Sequence, residues 1–314
     1  MTDLKLFRLD ADKRDVEVQG SLAALESQLQ ERIEASMETM LGIRFLASEY
    51  PTGPLHRGRI DSLGLDENGT PVIIEYKRGN DPGVIVQAVS YLSWLDASHH
   101  EFQALVKDKL GDEAANAINW RNPRVVCIAG EFTRHARTAV HKMHQRIDLV
   151  RYRIFDGGLL SLQLVESTPG GAGAPRPATA RPAPVDLGGG TDPSGDAEMK
   201  PIEEDLAAKP AALRALYQEL HEALTSSGDV EAEATKRYFV FRRFVTVATV
   251  WFLKADTIML YLKVDPSTVT LEEGFTRDMR AKNHLGTGDL EVRIQTTEDL
   301  EKSRPLIQLA FEAA

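Results

Sequence analysis

Three charged residues are spaced so that they could hold a divalent cation and the water it activates. Asp61 lies in GRIDSLGL and Glu75, 14 residues later, in VIIEYKRG, with Lys77 two positions beyond. Gly58–Leu65 and Pro71–Lys77 read as strands, and the DENG between them is a hairpin turn. Folding that hairpin sets Asp61 beside Glu75. The period of two then puts Lys77 on the face of Glu75, while Ile74 and Tyr76 point the other way. Hard cations such as Mg²⁺ or Mn²⁺ take oxygen ligands, commonly one or two carboxylates plus waters. A cation held there would grip a phosphate and lower the pKa of a bound water. An adjacent ammonium orients that water and offsets the charge that builds on the phosphate. Tyr76 can add its backbone carbonyl whatever its side chain does. An acid-x-Lys triplet alone is common on exposed strands; the strand, turn and spacing together make the signal specific.

Asp81-Pro82 then opens a helix that runs to about Asp96, a side-chain cap followed by proline at the first helical position. RID, IIEYKRG and the helical stretch VQAVSYLSWL resemble the PD-(D/E)XK nuclease superfamily, and within it the EndoMS/NucS-like endonuclease branch. The resemblance covers residues 22–165. It implies a restriction-endonuclease-like mixed sheet flanked by helices, and a metal site of Asp61, Glu75 and Lys77. It also implies a glutamate from the preceding helix, for which Glu26 is the first choice and Glu31 the second. Gln87 matches a glutamine on the following helix. The residue before Asp61 is isoleucine rather than proline. That branch carries a DNA-binding and dimerising domain before the nuclease, where this chain has only about 20 residues, so mismatch specificity does not transfer.

These residues need a scaffold. Leu4–Val18 reads as a hairpin, and Leu22, Leu25, Leu29, Ile33, Met37 and Leu41 recur at helical spacing. Glu101–Leu110 and Thr133–Ile147 read as helices, and Arg124–Ala129, Val150–Phe155 and Leu159–Val165 as strands. From Ser167 to Met199 the chain is rich in Pro, Gly and Ala and poor in large apolar residues, the composition of a linker. The expected division is therefore 1–166 for the α/β nuclease-like domain, 167–203 for the linker and 204–314 for a small α+β domain. In that last domain Ala211–Leu224 and Thr297–Phe311 read as helices, and Arg237–Val250, Thr257–Val264 and Leu290–Ile294 as strands.

A net charge of −10 argues against coating nucleic acid through overall charge. Locally, residues 121–153 carry eight Lys/Arg against Glu131 and Asp148, a segment of +6. Arg134, Arg137, His141 and His144 step by three, four and three, one face of the expected helix. Together with Arg57, Arg59 and Arg78 beside the hairpin, Arg134, Arg137 and His141 are the candidate nucleic-acid contacts. The alternative for each is a solvated surface. The interleaved cations and aromatics of KRYFVFRRF read as a strand with an aromatic core face and a basic rim. One cysteine, Cys127, excludes an internal disulfide and suits a reducing cytoplasm. No apolar run reaches a membrane span, and no secretion signal is visible. The expectation is a Mg²⁺- or Mn²⁺-dependent endonuclease acting on DNA, in repair or in defence against foreign DNA, with a homodimer left open. The alternatives are a nuclease fold that binds without cutting, and an RNA-directed enzyme.

Overall fold

The computed structural model describes residues 4–81, 83–169, 201–226, 230–235, 237–282, 284 and 286–313. The chain forms two compact units, divided after residue 171. The first unit opens with a two-stranded hairpin, β1 (Leu6–Leu9) and β2 (Asp15–Val18), and a short β3 (Gly20–Ser21). Then come α1 (Glu26–Glu34), α2 (Met37–Leu41), β4 (Ile43–Pro51), α3 (Gly53–His56), β5 (Arg59–Asp66) and β6 (Pro71–Lys77). The unit closes with α4 (Gly83–Ala97), α5 (His99–Leu110), α6 (Asp112–Asn116), β7 (Arg124–Ala129), α7 (Arg134–Val140), β8 (Arg146–Phe155) and β9 (Leu159–Pro169).

Seven strands make one mixed sheet in the order β3-β8-β7-β6-β5-β4, with β9 on β8. β6, β7 and β8 run parallel, in register Glu75↔Cys127↔Leu149 and Lys77↔Ala129↔Arg151. Both faces of this parallel part are covered, which is why VVCIA carries no polar alternation. Val84, Ile85 and Ala88 of α4 and Ala136 and Val140 of α7 pack with Val125, Cys127 and Leu149 on one face. α1 packs against β5 and β6 and buries Leu29, Gln30 and Ile33.

The β5–β6 turn is fixed by its own side chain. Asp66 Oδ1 accepts from the N–H groups of Asn68 and Thr70, both at 2.9 Å, and Gly69 takes the left-handed φ of 73° that the turn requires. Asp66 is buried, and the buried Arg146 guanidinium lies 3.7 Å away. A second buried pair, Arg124 Nε to Asp148 Oδ2 at 2.6 Å, ties the starts of β7 and β8.

The second unit comprises α8 (Ile202–Ala208), α9 (Ala211–Thr225), β10 (Glu231–Ala234), β11 (Phe239–Arg242), β12 (Thr246–Leu253), β13 (Thr257–Leu262), β14 (Thr276–Asp278), β15 (Leu290–Ile294) and α10 (Thr297–Ala313). Its antiparallel sheet, β10-β11-β12-β13-β15-β14, packs one face against the helices. Phe239 and Phe241 sit in that core as read, but Arg242 is buried against Glu231 rather than on a basic rim, and Arg243, past the end of β11, lies over the Phe311 ring. No helix among the described residues is long and apolar enough to cross a membrane.

Several expectations need correction. The helix expected over 133–147 stops at Val140, and β8 begins at Arg146, because Ile147 and Leu149 pair with β7. The long helix from Leu22 starts only at Glu26 and is broken between Glu34 and Met37; Leu22 and Leu25 are exposed. β4, which no expected element covers, pairs along β5. The strand expected over 237–250 is two strands with a turn between Arg242 and Thr246. The expected linker boundaries are too wide, since β9 runs through Pro169 and α8 starts at Ile202. The rest of that stretch, and Pro82, lie outside the described residues.

Candidate functional site

Cα pairing between β5 and β6 runs from Leu65↔Pro71 to Ser62↔Ile74 and stops there. Beyond that point two backbone donors have lost their ladder partners, and the two carboxylates replace them. Asp61 N–H donates to Glu75 Oε1 at 3.2 Å, and Tyr76 N–H donates to Asp61 Oδ2 at 3.0 Å. Each acid is thus fixed by the strand of the other.

Neither acid is well provided with positive charge. Glu75 is fully buried, and its Oε2 has no hydrogen-bond partner among the described residues. Burial, then the charge of Asp61, pushes the Glu75 carboxyl up to about 8. Asp61 is also raised, chiefly by burial, against the bond from Tyr76 and the charge of Lys77, which favour its ionised form. Glu49 and Glu26 add negative charge nearby. Two adjacent carboxylates that both resist ionisation, with Glu75 Oε2 unpartnered, would fit a hard cation. No group of three or more His, Cys, Asp or Glu side chains among the described residues is arranged to hold a metal. Asp61 and Glu75 are the carboxylates that could hold such a cation, and waters would complete its shell.

Lys77 closes the site from the end of β6. Its Nζ lies 3.7 Å from Glu26 Oε1, and Glu26 Oε2 accepts from Arg78 N–H at 2.7 Å. Glu26 is therefore brought to the site, but its contacts are with Lys77 and Arg78. Glu31 is exposed. The helix face that meets the hairpin steps by four: Glu26, Gln30, Glu34. Gln30, which the sequence reading passed over, is buried, and its amide nitrogen lies 2.8 Å from the Asp61 carbonyl, 3.0 Å from Glu34 Oε1 and 3.1 Å from Ser48 Oγ. Ser62 Oγ donates to Glu34 Oε1 at 2.6 Å and lies 3.2 Å from the Tyr76 hydroxyl. The signal that would have found Gln30 and Glu34 is their four-residue spacing from Glu26.

Gln87 reaches neither carboxylate. Its amide donates to the Tyr91 hydroxyl at 3.3 Å, which donates to the Arg59 carbonyl and accepts from the Arg59 N–H. Gly58 makes this possible, since a Cβ there would stand 2.4 Å from the Tyr91 ring. Gln87 thus sits behind the start of β5.

The cations are dispersed. Arg59 is exposed and paired with Glu49, Arg57 Nε donates to the Pro54 carbonyl, and Arg78 Nε donates to the Ala23 carbonyl. The row of Arg134, Arg137, His141 and His144 does not form. His144 lies beyond the end of α7, while Arg137 and His141 both meet Glu166, at 3.3 and 2.9 Å. Arg124 and Arg146 of the +6 segment are buried in the ion pairs above, and Arg121, Arg134 and Lys142 are exposed.

Residues 202–314 match a family described as a domain of unknown function (DUF5655). Over 293 residues the chain is 22% identical to an uncharacterised protein of Haemophilus influenzae, covering 92% of this chain and 93% of that protein. Among solved structures it is similar to EndoMS in complex with double-stranded DNA, at 17% identity and a TM-score of 0.28, with 47% of this chain covered. It is also similar to a repair endonuclease from Pyrococcus abyssi, at 16% identity and a TM-score of 0.23, with 42% covered. EndoMS in its apo form follows at 17% identity and a TM-score of 0.21, with 44% covered. The chain spans 65%, 49% and 61% of the lengths of those three chains.

Proposed function

We propose that the first unit is a divalent-metal-dependent nuclease that hydrolyses DNA phosphodiester bonds. The observation that carries this is the pair of half-buried Asp61 and buried Glu75, locked by each other's strand, with Glu75 Oε2 unpartnered and Lys77 at the margin. In this reading the two carboxylates hold Mg²⁺ or Mn²⁺. When bound, the cation supplies Lewis acidity to a phosphate oxygen and to a water. Tyr76 offers its carbonyl at the same strand edge as the N–H that meets Asp61. Lys77 orients the water and faces the phosphate, and Glu26 holds Lys77 in place. Gln30 anchors the backbone of Asp61 to α1, and Gln87 and Tyr91 fix the start of β5. Arg57, Arg59 and Arg78, beside the hairpin, would contact the phosphate backbone, and Arg59 would exchange Glu49 for a phosphate. The cytoplasm, where nucleic acid and free Mg²⁺ meet, is the matching compartment.

The test is incubation of the full chain with labelled single-stranded, duplex and branched DNA, and with RNA, in Mg²⁺, Mn²⁺ or EDTA. The reading expects cutting of a DNA substrate with either metal and none in EDTA. Binding without cutting under every condition would replace the nuclease with a binding module, and cutting of RNA alone would change the substrate.

A further inference from the structure

A concave pocket of about 230 Å³ lies on the first unit, its polar lining made by Lys5, Glu17, Arg151, Arg153, Ser161 and Gln163. Neither Asp61 nor Glu75 lines it. It nonetheless shares their face of the sheet. Lys77, Ala129 and Arg151 are successive partners across β6, β7 and β8, and Arg151 and Arg153 pair across to Gln163 and Ser161 of β9. At about 4.8 Å per strand, β8 stands about 10 Å from β6. That is a span of about three nucleotides at about 3.4 Å of axial rise each.

Neutral acceptors help to fix both guanidinium groups in place. Arg151 donates to the Gln163 side-chain oxygen at 2.6 Å, and Arg153 donates to the Gly130 and Tyr152 carbonyls. Glu131 is shared between them at 3.6 and 3.5 Å, and Glu17 lies 3.4 Å from Lys5. Three cations thus line the pocket with a hydroxyl and an amide beside them. Fixed guanidinium groups with hydroxyl and amide neighbours are the recognition chemistry of a phosphate.

We propose that this pocket binds a backbone phosphate of the nucleic acid, two to three nucleotides from the bond that is cut. It would set the register of the strand over Asp61 and Glu75. The proposal rests on the nuclease reading for the identity of the ligand, and its test is kept apart from cutting.

Binding of fluorescein-labelled single-stranded and duplex DNA to the full chain is followed by anisotropy in EDTA across a salt series. Each lost phosphate contact lowers the slope of log affinity against log salt by about 0.9 on duplex and about 0.7 on single strands. Arg151→Gln/Arg153→Gln is expected to weaken binding about tenfold or more and flatten the duplex slope by about 2. Lys5→Gln, an exposed change that leaves β8 untouched, is expected to flatten it by about 1. Lys107→Gln/Lys109→Gln on α5 is the charge control and is expected to leave the slope unchanged. If wild type binds and both pocket variants keep its affinity and slope, the pocket is overturned while the nuclease reading stands. If wild type binds no DNA under any salt condition, both fall together.

Discussion

Glu75→Gln should make the metal-free protein more stable at neutral and alkaline pH. Glu75 is fully buried, and its carboxyl is pushed from 4.5 up to about 8, first by burial and then by the charge of Asp61. A carboxyl whose folded pKa lies above its unfolded value takes up a proton on folding. Its contribution to stability is complete below about pH 4.5 and is lost as pH rises through about 8. At about 1.4 kcal/mol per unit, that loss is about 3 kcal/mol by pH 7 and levels off near about 5 kcal/mol above pH 8. Glutamine keeps an Oε1 that accepts from Asp61 N–H but does not titrate. The variant and wild type should therefore lie within about 1 kcal/mol of each other at pH 5 and diverge by about 3 kcal/mol or more at pH 8 to 9. The assay is urea unfolding in EDTA at pH 5, 7 and 9, read by tryptophan fluorescence in a Trp251→Phe background so that Trp94 and Trp120 report the first unit. A variant no more stable than wild type at pH 9, with the same gap as at pH 5, would refute the reasoning.

Two further outcomes follow from the same geometry. A cation that takes Glu75 must displace its proton, so Mn²⁺ affinity measured by calorimetry should rise up to about tenfold per pH unit between 6 and 8, with about one proton released. A flat pH profile would place the cation elsewhere. Asp148→Ala leaves the buried Arg124 without the carboxylate at 2.6 Å and should cost about 3–5 kcal/mol of stability by urea unfolding. A loss below about 1 kcal/mol would mean that water reaches Arg124.

The hairpin was legible because its signals are local. DENG forms its turn through Asp66 and Gly69, and the period of two brings Asp61 and Glu75 together. β6 and β7 were equally readable as short apolar runs bounded by turns. What failed depended on contacts distant in sequence. Arg134, Arg137, His141 and His144 mimic a helical period, but β8 is defined by its pairing with β7, which no local spacing records. Arg124 and Arg146 counted as surface charge, yet each is buried against an aspartate, one of them 80 residues away in sequence. Gln30 and Glu34 carry no motif; they matter because α1 packs across β5 and β6. Glu26, the resemblance's first choice to complete the metal cage, comes to the site but contacts Lys77 and Arg78.

We propose that Asp61, Glu75 and Lys77 together perform metal-dependent cleavage. The direct measurement is the single-turnover cutting rate of the full chain on a DNA substrate that wild type cuts in Mn²⁺, compared among Asp61→Ala, Glu75→Ala and Lys77→Ala. Removing one electrostatic group from a preorganised site costs about 10²–10³ in rate or more. Each variant should therefore lose at least that much while remaining folded by circular dichroism. A Glu75→Ala protein that cuts at the wild-type rate would contradict the account.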